Sequence, residues 1–304
     1  MKINYSVVIP LYNHEQYIAE AIESILNQSY PADEILIIDD GSTDNSFHVA
    51  QKIASSCSKI KVFKQTNQGA HKTLNKLIEL AKNEHIAILN SDDIFYPEKL
   101  ERCTNLFSNS SHAEFIFGGV DLINEHGEFQ RNGIAVDWLD RARKFKSKCN
   151  NLIISLLHEN YIVTTSNFVF SKKLWNLSSK FQSLRYCHDL DFIIDVLKIT
   201  TSITEDKEKH IQYRIHKTNT IKEEVSHVDF EIAAVIANSL IEIKERITLD
   251  NMLHQQFYYI NQVVKNKNSN YMIPFFMLIR MASNSKKEFY QKISDPIFKQ
   301  LVNR

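Results

Sequence analysis

Two stretches of this chain end an apolar run in adjacent carboxylates. Ile86–Ala87–Ile88–Leu89 leads into Asn90–Ser91–Asp92–Asp93, and Ile35–Leu36–Ile37–Ile38 leads into Asp39–Asp40–Gly41–Ser42. Burying an unpaired anion costs several kcal/mol, so such pairs belong at exposed strand ends or around a cation. Two strands that end this way gather acids along one sheet edge, which is where open α/β sheets bind ligands. Helix capping by Asp and Ser explains either segment taken alone, and explains the two together less well.

Strand and helix patterns alternate around these acids. Ser6–Pro10 reads as a strand, and His14 to Gln28 follows with Ile18, Ile22, Ile25 and Leu26 at helical spacing. Strand Glu34–Asp39, a helix over Ser46–Ala54 and strand Ile60–Lys64 come next. A helix around Leu74, Leu77, Ile78 and Ala81 then leads into strand Ile86–Asn90. Pro97 suits a first helical position, with Leu100, Leu106 and Phe107 giving that helix its apolar side. Such alternation predicts an α/β fold with a mainly parallel, Rossmann-like sheet flanked by helices. Residues 121–165 read as polar and irregular and carry a basic run from Arg141 to Lys148, expected to be a solvated face. Asn167–Phe170 and His210–Arg214 read as further strands, and Asp189–Leu197 as a helix. From Val228 the pattern is helical only, so we expect one domain over 1–225 and a C-terminal helical appendage over 226–304.

Lys plus Arg equals Asp plus Glu at 36 each, which supplies no global field for nucleic acid. The four cysteines show no metal-ligand spacing and read as packing residues in a reducing compartment. Strand-like sequence begins by about Tyr5, leaving no room for a signal peptide. No apolar run reaches the roughly 18 residues a spanning helix needs. The expectation is a cytoplasmic protein.

Four motifs in order resemble glycosyltransferase family 2, with its GT-A fold: Val7–Val8–Ile9–Pro10–Leu11–Tyr12–Asn13, Ile38–Asp39–Asp40–Gly41–Ser42–Thr43–Asp44, Asn67–Gln68–Gly69 and Leu89–Asn90–Ser91–Asp92–Asp93. The resemblance covers roughly residues 5–220. It implies an inverting transferase that moves a sugar from a nucleotide diphosphate, expected to be UDP, to a hydroxyl. By this resemblance Tyr12 lies against the base while Pro10 shapes the turn. Asp39 meets the base, Asp40 meets the ribose hydroxyls, and Asn67, Gly69 and Ser91 border the nucleotide.

Asn90–Ser91–Asp92 stands at the family's Asp-x-Asp metal motif, which implies Mn²⁺ or Mg²⁺. Here the first acid is Asn90, which keeps an oxygen and loses a charge. Asp92 is then the expected metal ligand, and Asp93, Asn90 and Arg214 are expected near the donor sugar or diphosphate. Tyr213–Arg214–Ile215–His216 resembles a strand-end segment in which His216 ligates the metal or donates to the diphosphate. Asp189 matches the position of the family's general base, with Asp191 as a backup and His188 in place of the usual Glu.

The implied acceptor is a saccharide or a lipid-linked saccharide, in surface polysaccharide or lipopolysaccharide synthesis. The C-terminal helices, with Met272, Phe275, Phe276 and Ile279 close together, then offer peripheral contact with the inner face of a membrane or with a second copy. A transferase-like scaffold without turnover is the alternative of a different class. A sugar-phosphate nucleotidyltransferase is disfavoured, because Leu11–Tyr12–Asn13–His14–Glu15 has neither the glycine nor the basic residue a triphosphate loop needs.

Overall fold

The computed structural model describes residues 2–109, 113–149, 151–217, 219, 225–243, 253–265, 271–296 and 298. The chain divides into two compact units. The first comprises Met1–Val136, Ile162–Lys180 and Val196–His216; the second comprises Asp137–Tyr161, Phe181–Asp195 and Lys217–Arg304. The C-terminal helices thus share a unit with two stretches from before residue 200. Residues 220–224, beside the expected boundary near 225, lie outside the described residues.

The first unit is built on one eight-stranded sheet in the order β3-β2-β1-β4-β7-β6-β8-β5. Its strands are β1 Tyr5–Leu11, β2 Glu34–Asp39, β3 Ile60–Lys64, β4 His85–Ile88, β5 Ile94–Phe95, β6 Phe115–Ile123, β7 Val169–Ser171 and β8 Ile203–Arg214. The pairs β1–β2, β2–β3, β1–β4 and β6–β8 are parallel, whereas β7 and β5 pair antiparallel. Every residue of β2 is buried, as expected of a strand covered on both faces.

Helices α1 Ile18–Leu26, α2 Ser46–Ala54, α3 Ala70–Leu80 and α4 Lys99–Asn109 connect the early strands. They bury Ile18, Ile22 and Ile25 of α1 and Leu74, Leu77 and Ile78 of α3, as their spacing foretold, whereas Leu26, expected on the same face of α1, is exposed in its last turn. Helix α1 begins four residues later than His14. Asn13 takes a positive φ of 51°, and the His14 carbonyl accepts from the N–H groups of Tyr17 and Ile18, closing a turn before the helix starts. Pro97 likewise precedes α4 rather than opening it.

The stretch expected to be irregular is mostly regular. Strand β6 runs on to Ile123, and two helices follow, α5 Ile134–Lys148 and α6 Leu152–His158. Helix α5 buries little beyond Leu139 and Ala142, so its apolar signal is thin and its basic run hides the period. Asn151 caps α6 by accepting from the Ile154 N–H at 3.0 Å. Strand β8 begins seven residues before His210, because β6 supplies a parallel partner for those polar residues. The 3₁₀ turn Thr165–Asn167, β7 and α7 Lys172–Leu177 complete the first unit's elements.

Helix α8, His188–Ile199, opens in the second unit, which also holds α9 Val225–Ile243, α10 Leu253–Lys265, α11 Met272–Met281 and α12 Lys286–Ser294. Met272 and Phe276 are core residues here, Phe276 meeting Phe230 of α9 edge-on at 4.8 Å between centroids. Tyr271, Leu278 and Met281 are exposed. Among the described residues no helix is long and apolar enough to cross a membrane.

One close approach fixes how β6 meets β8. Gly118 exchanges hydrogen bonds with the Asn167 amide, and a Cβ there would lie 2.3 Å from the buried His210 ring. Gly118→Ala should therefore lower unfolding free energy by about 1–3 kcal/mol in chemical denaturation; an unchanged midpoint would show that the ring can yield.

Candidate active site

The parallel register brings the acid-bearing strand ends together. Central strand β1 pairs Leu11 with Asp39 on one side and Val8 with Ile88 on the other. The loops after β1, β2, β3 and β4 therefore leave the same sheet edge, and a continuous run of polar contacts links them. Asp40 accepts from the Gln65 side chain at 2.8 Å and from the N–H groups of Gln68 and Gly69 at 2.9 and 2.8 Å. Gly41, at φ 78°, lies so close to the next loop that a Cβ would meet the Asn67 nitrogen at 2.9 Å. Ser42 accepts from the Asn13 N–H, and Asn13 accepts in turn from the Thr43 N–H. Ser46 accepts from the His14 N–H at 2.8 Å.

The loop after β4 completes this set. Ser91 Oγ and His14 Nδ1 are 2.8 Å apart. His14 Nε2 then stands 3.9 Å from Asp92 Oδ2, and His216 Nε2 stands 3.0 Å from the same oxygen. The ligand atoms of His14, Asp92 and His216 all lie within 4.8 Å of one another, a spacing one metal ion could bridge. Burial alone would lift the Asp92 carboxyl, but His14 and His216 outweigh it and hold it below its usual range. Tyr17 packs beside His216 at 5.0 Å between ring centroids.

Asp93 points the other way. It is fully buried, accepts from Ser166 Oγ at 2.5 Å and from the Arg214 N–H at 3.0 Å, and is pushed well above its ordinary pKa by burial and by Asp92. Its carboxylate secures the sheet edge and is not open to a sugar. The Asn90 amide is also taken up: its nitrogen donates to Thr164 Oγ1 at 2.8 Å and its oxygen accepts from Thr165 Oγ1 at 2.9 Å. It holds the 3₁₀ turn instead of offering a metal ligand. Arg214, expected near phosphate, donates to the Asp92 carbonyl at 2.8 Å, to the carbonyls of Asn124 and Glu125 and to Glu20, and its guanidinium lies over the Tyr17 ring. With a side chain only 2% exposed, it is a structural cation.

Asp39 behaves differently again. It is buried, its Oδ2 accepts from the Ser42 N–H at 3.2 Å, and its Oδ1 has no hydrogen-bond partner among the described residues. A buried carboxylate oxygen without a donor is costly and marks a place for a ligand N–H. Tyr12, directly after β1, is 44% exposed, and Pro10, within β1, is partly buried. Asn67 is exposed, and Gly69 takes φ 87° just before α3.

The remaining predicted acids belong to the second unit. Asp189, at the start of α8, is partly buried. Burial lifts its carboxyl to about 7 against the helix N–H groups and the Asn160 amide, which donates to Oδ2 at 3.0 Å, and nearby Glu231 adds to the rise. Asp191 is committed elsewhere: it accepts from Tyr290 Oη at 2.6 Å and pairs with Lys286 at 3.0 Å, fully buried. A carboxylate so engaged cannot serve as a spare base. Sequence reasoning passed over His14 and Glu231. His14 follows a strand-end motif directly, which was the available signal; Glu231 lies on a helix whose pattern showed only packing.

Comparison with solved structures identifies the architecture as GT-A. The chain aligns with S. aureus TarS 1-349, solved in complex with UDP-GlcNAc, at a TM-score of 0.62 and 18% identity, over 91% of this chain and 89% of that one. The same protein solved with UDP aligns at 0.58 over 99% and 92%. The family model for glycosyl transferase family 2 matches residues 6–176, more than half of the chain, and the protein belongs to that family. An uncharacterized glycosyltransferase of Rickettsia felis is 30% identical over 73% of this chain, which spans 36% of that relative; one of Rickettsia typhi is 29% identical over 82%, spanning 76%. Asp189, Asp191, Arg214 and His216 lie beyond the residues the family model matches.

The engagement of Asn90 makes its replacement informative. Asn90→Asp would set a carboxylate against Thr164 Oγ1 beside two further acids, Asp92 and Asp93. We expect a loss of about 1–3 kcal/mol in stability with no gain in Mn²⁺ affinity, read by thermal melting and calorimetry. Tighter Mn²⁺ binding would mean that the side chain turns to the metal.

Proposed function

We propose that this enzyme moves a sugar from a nucleoside diphosphate, expected to be UDP, to a hydroxyl acceptor by a single displacement with inversion. The observation that carries the reading is the His14–Asp92–His216 cluster, placed at the same sheet edge as the unpartnered Asp39 oxygen. Two imidazoles and a carboxylate suit Mn²⁺ better than Mg²⁺, which favours oxygen ligands alone. A divalent ion bound there supplies charge neutralisation for the departing diphosphate. The residues present fit such an ion, since Ser91 occupies Nδ1 of His14 and so leaves Nε2 to face it, the usual arrangement behind a metal-ligating histidine.

In this reading Asp39 Oδ1 accepts an N–H of the base and Tyr12 lies against its face. Asp40 shapes the Asn67–Gly69 loop and offers its remaining lone pair to the ribose. Asp189 is the base that takes the acceptor hydroxyl proton. At a pKa near 7 it is well matched to accept a proton near neutral pH. Residues 1–225 are proposed as the catalytic portion. Peripheral contact with the cytoplasmic face of a membrane, or with a second copy, is proposed for the C-terminal helices on the strength of exposed Tyr271, Leu278 and Met281. A saccharide or lipid-linked saccharide of surface polysaccharide or lipopolysaccharide is the proposed acceptor.

Metal binding tests the cluster. Asp92→Ala and His216→Ala should each abolish Mn²⁺-dependent UDP binding in calorimetry, and His14→Ala should weaken it roughly tenfold or more. Wild-type Mn²⁺ titrations in all three would remove the metal site.

Turnover tests the base. Asp189→Asn should cut the release of UDP from a nucleotide sugar at least a hundredfold, within the range general-base catalysis contributes, while leaving UDP affinity near wild type. The wild-type rate should fall as pH drops below about 7, because protonated Asp189 cannot accept a proton. UDP binding without turnover from any of a panel of UDP-sugars would favour a scaffold instead.

A further inference from the structure

Three consecutive amides just before α8 point at one carboxylate. Glu231, on α9, accepts from the N–H of Arg185 at 2.9 Å on Oε1, and from those of Tyr186 and Cys187 at 2.7 and 3.2 Å on Oε2. Glu231 is 3% exposed. A carboxylate buried to that degree needs strong partners, and charge-assisted bonds to backbone N–H groups are among the strongest available. The segment it grips is the lead-in to the helix that carries Asp189. The Cys187 carbonyl in turn accepts from the Asp191 N–H at 2.9 Å, making Cys187 part of the first turn of α8.

We propose that Glu231 is a positioning residue for Asp189: by clamping residues 185–187 it fixes where α8 begins and holds the Asp189 carboxylate in one orientation. This rests on Asp189 being the base. Asn160 supplies the second hold, through its amide on Asp189 Oδ2. With the base held from two directions, little rearrangement is needed when the acceptor arrives, and small misplacements of a reacting group cost up to about a hundredfold.

A second consequence follows from charge. Two carboxylates near one another disfavour ionisation of each. The groups that bear on Asp189 are the N–H groups of its own helix turn and the Asn160 amide, which favour the ionised form, and Glu231, which opposes it. Removing the Glu231 charge should therefore lower the Asp189 pKa and move the acid limb of the rate profile to lower pH.

The test is a double-mutant cycle on the full chain, reading Mn²⁺-dependent UDP release from a panel of UDP-sugars across pH, with melting temperature in parallel. Glu231→Gln should lower kcat roughly ten- to a hundredfold, leave the KM for donor near wild type and shift the acid limb downward. Glu231→Asp, which keeps the charge and shortens the reach, should lower kcat with the limb in place, and stays informative if the Gln variant folds poorly. Asp189→Asn combined with Glu231→Gln should be no slower than Asp189→Asn alone. A lower melting temperature with unchanged kcat and acid limb would reduce Glu231 to a structural staple, and additive losses in the cycle would likewise overturn the proposal. Wild-type turnover in Asp189→Asn would remove the base assignment itself, a distinct result.

Discussion

The arrangement at the sheet edge depends on a buried carboxylate, that of Asp93. Removed from water, it must be matched by donors or the fold loses several kcal/mol. The donors are Ser166, on the 3₁₀ turn, and the backbone N–H of Arg214 at the end of β8. The second bond spans 121 residues of sequence. It draws the end of β8 to the β4–β5 connection, and Arg214 reinforces it by donating back to the Asp92 carbonyl. With Asp93 turned inward, its neighbour is left facing His216. The acid pair therefore divides into an inner residue that builds and an outer one that is open to chemistry.

The same division recurs along the edge. Asp40 accepts three hydrogen bonds from the β3–α3 loop while Asp39 keeps one oxygen without a partner among the described residues. Of two acids in each pair, one organises a loop and the other is held ready. The β1–α1 loop lies between the two pairs, bonded to Ser42 and Ser46 on one side and to Ser91 on the other. The short polar residues of the motifs thus form the framework that sets the carboxylates in register.

Much of this was legible in the sequence. The strands Glu34–Asp39 and Ile60–Lys64 and the helix Ser46–Ala54 have the bounds their patterns gave, because buried parallel strands and one-sided helices leave strong periodic signals. That two acid-ended strands share an edge followed from parallel topology. Helix α5 was hidden by its basic residues and sparse core contacts, and the first part of β8 by its charged residues. The roles of single side chains were least legible. Arg214 and Asp191 carry the residue types of a site, yet their partners, Glu20 and Tyr17 in one case and Tyr290 and Lys286 in the other, come from distant sequence and consume them. His14 shows the reverse. It directly follows the first strand-end motif, yet only the fold brings it to Asp92.

Asp92, His216 and His14 are proposed to hold one divalent cation between them, beside the carboxyl ends of β1 and β4. Anomalous diffraction at the manganese edge, from crystals grown with UDP and Mn²⁺, would locate it. One strong peak is expected within coordination distance of Asp92 Oδ2 and of both Nε2 atoms. A peak at Asp39 and Asp40, or none in crystals that hold UDP, would rule the cluster out as the cation site.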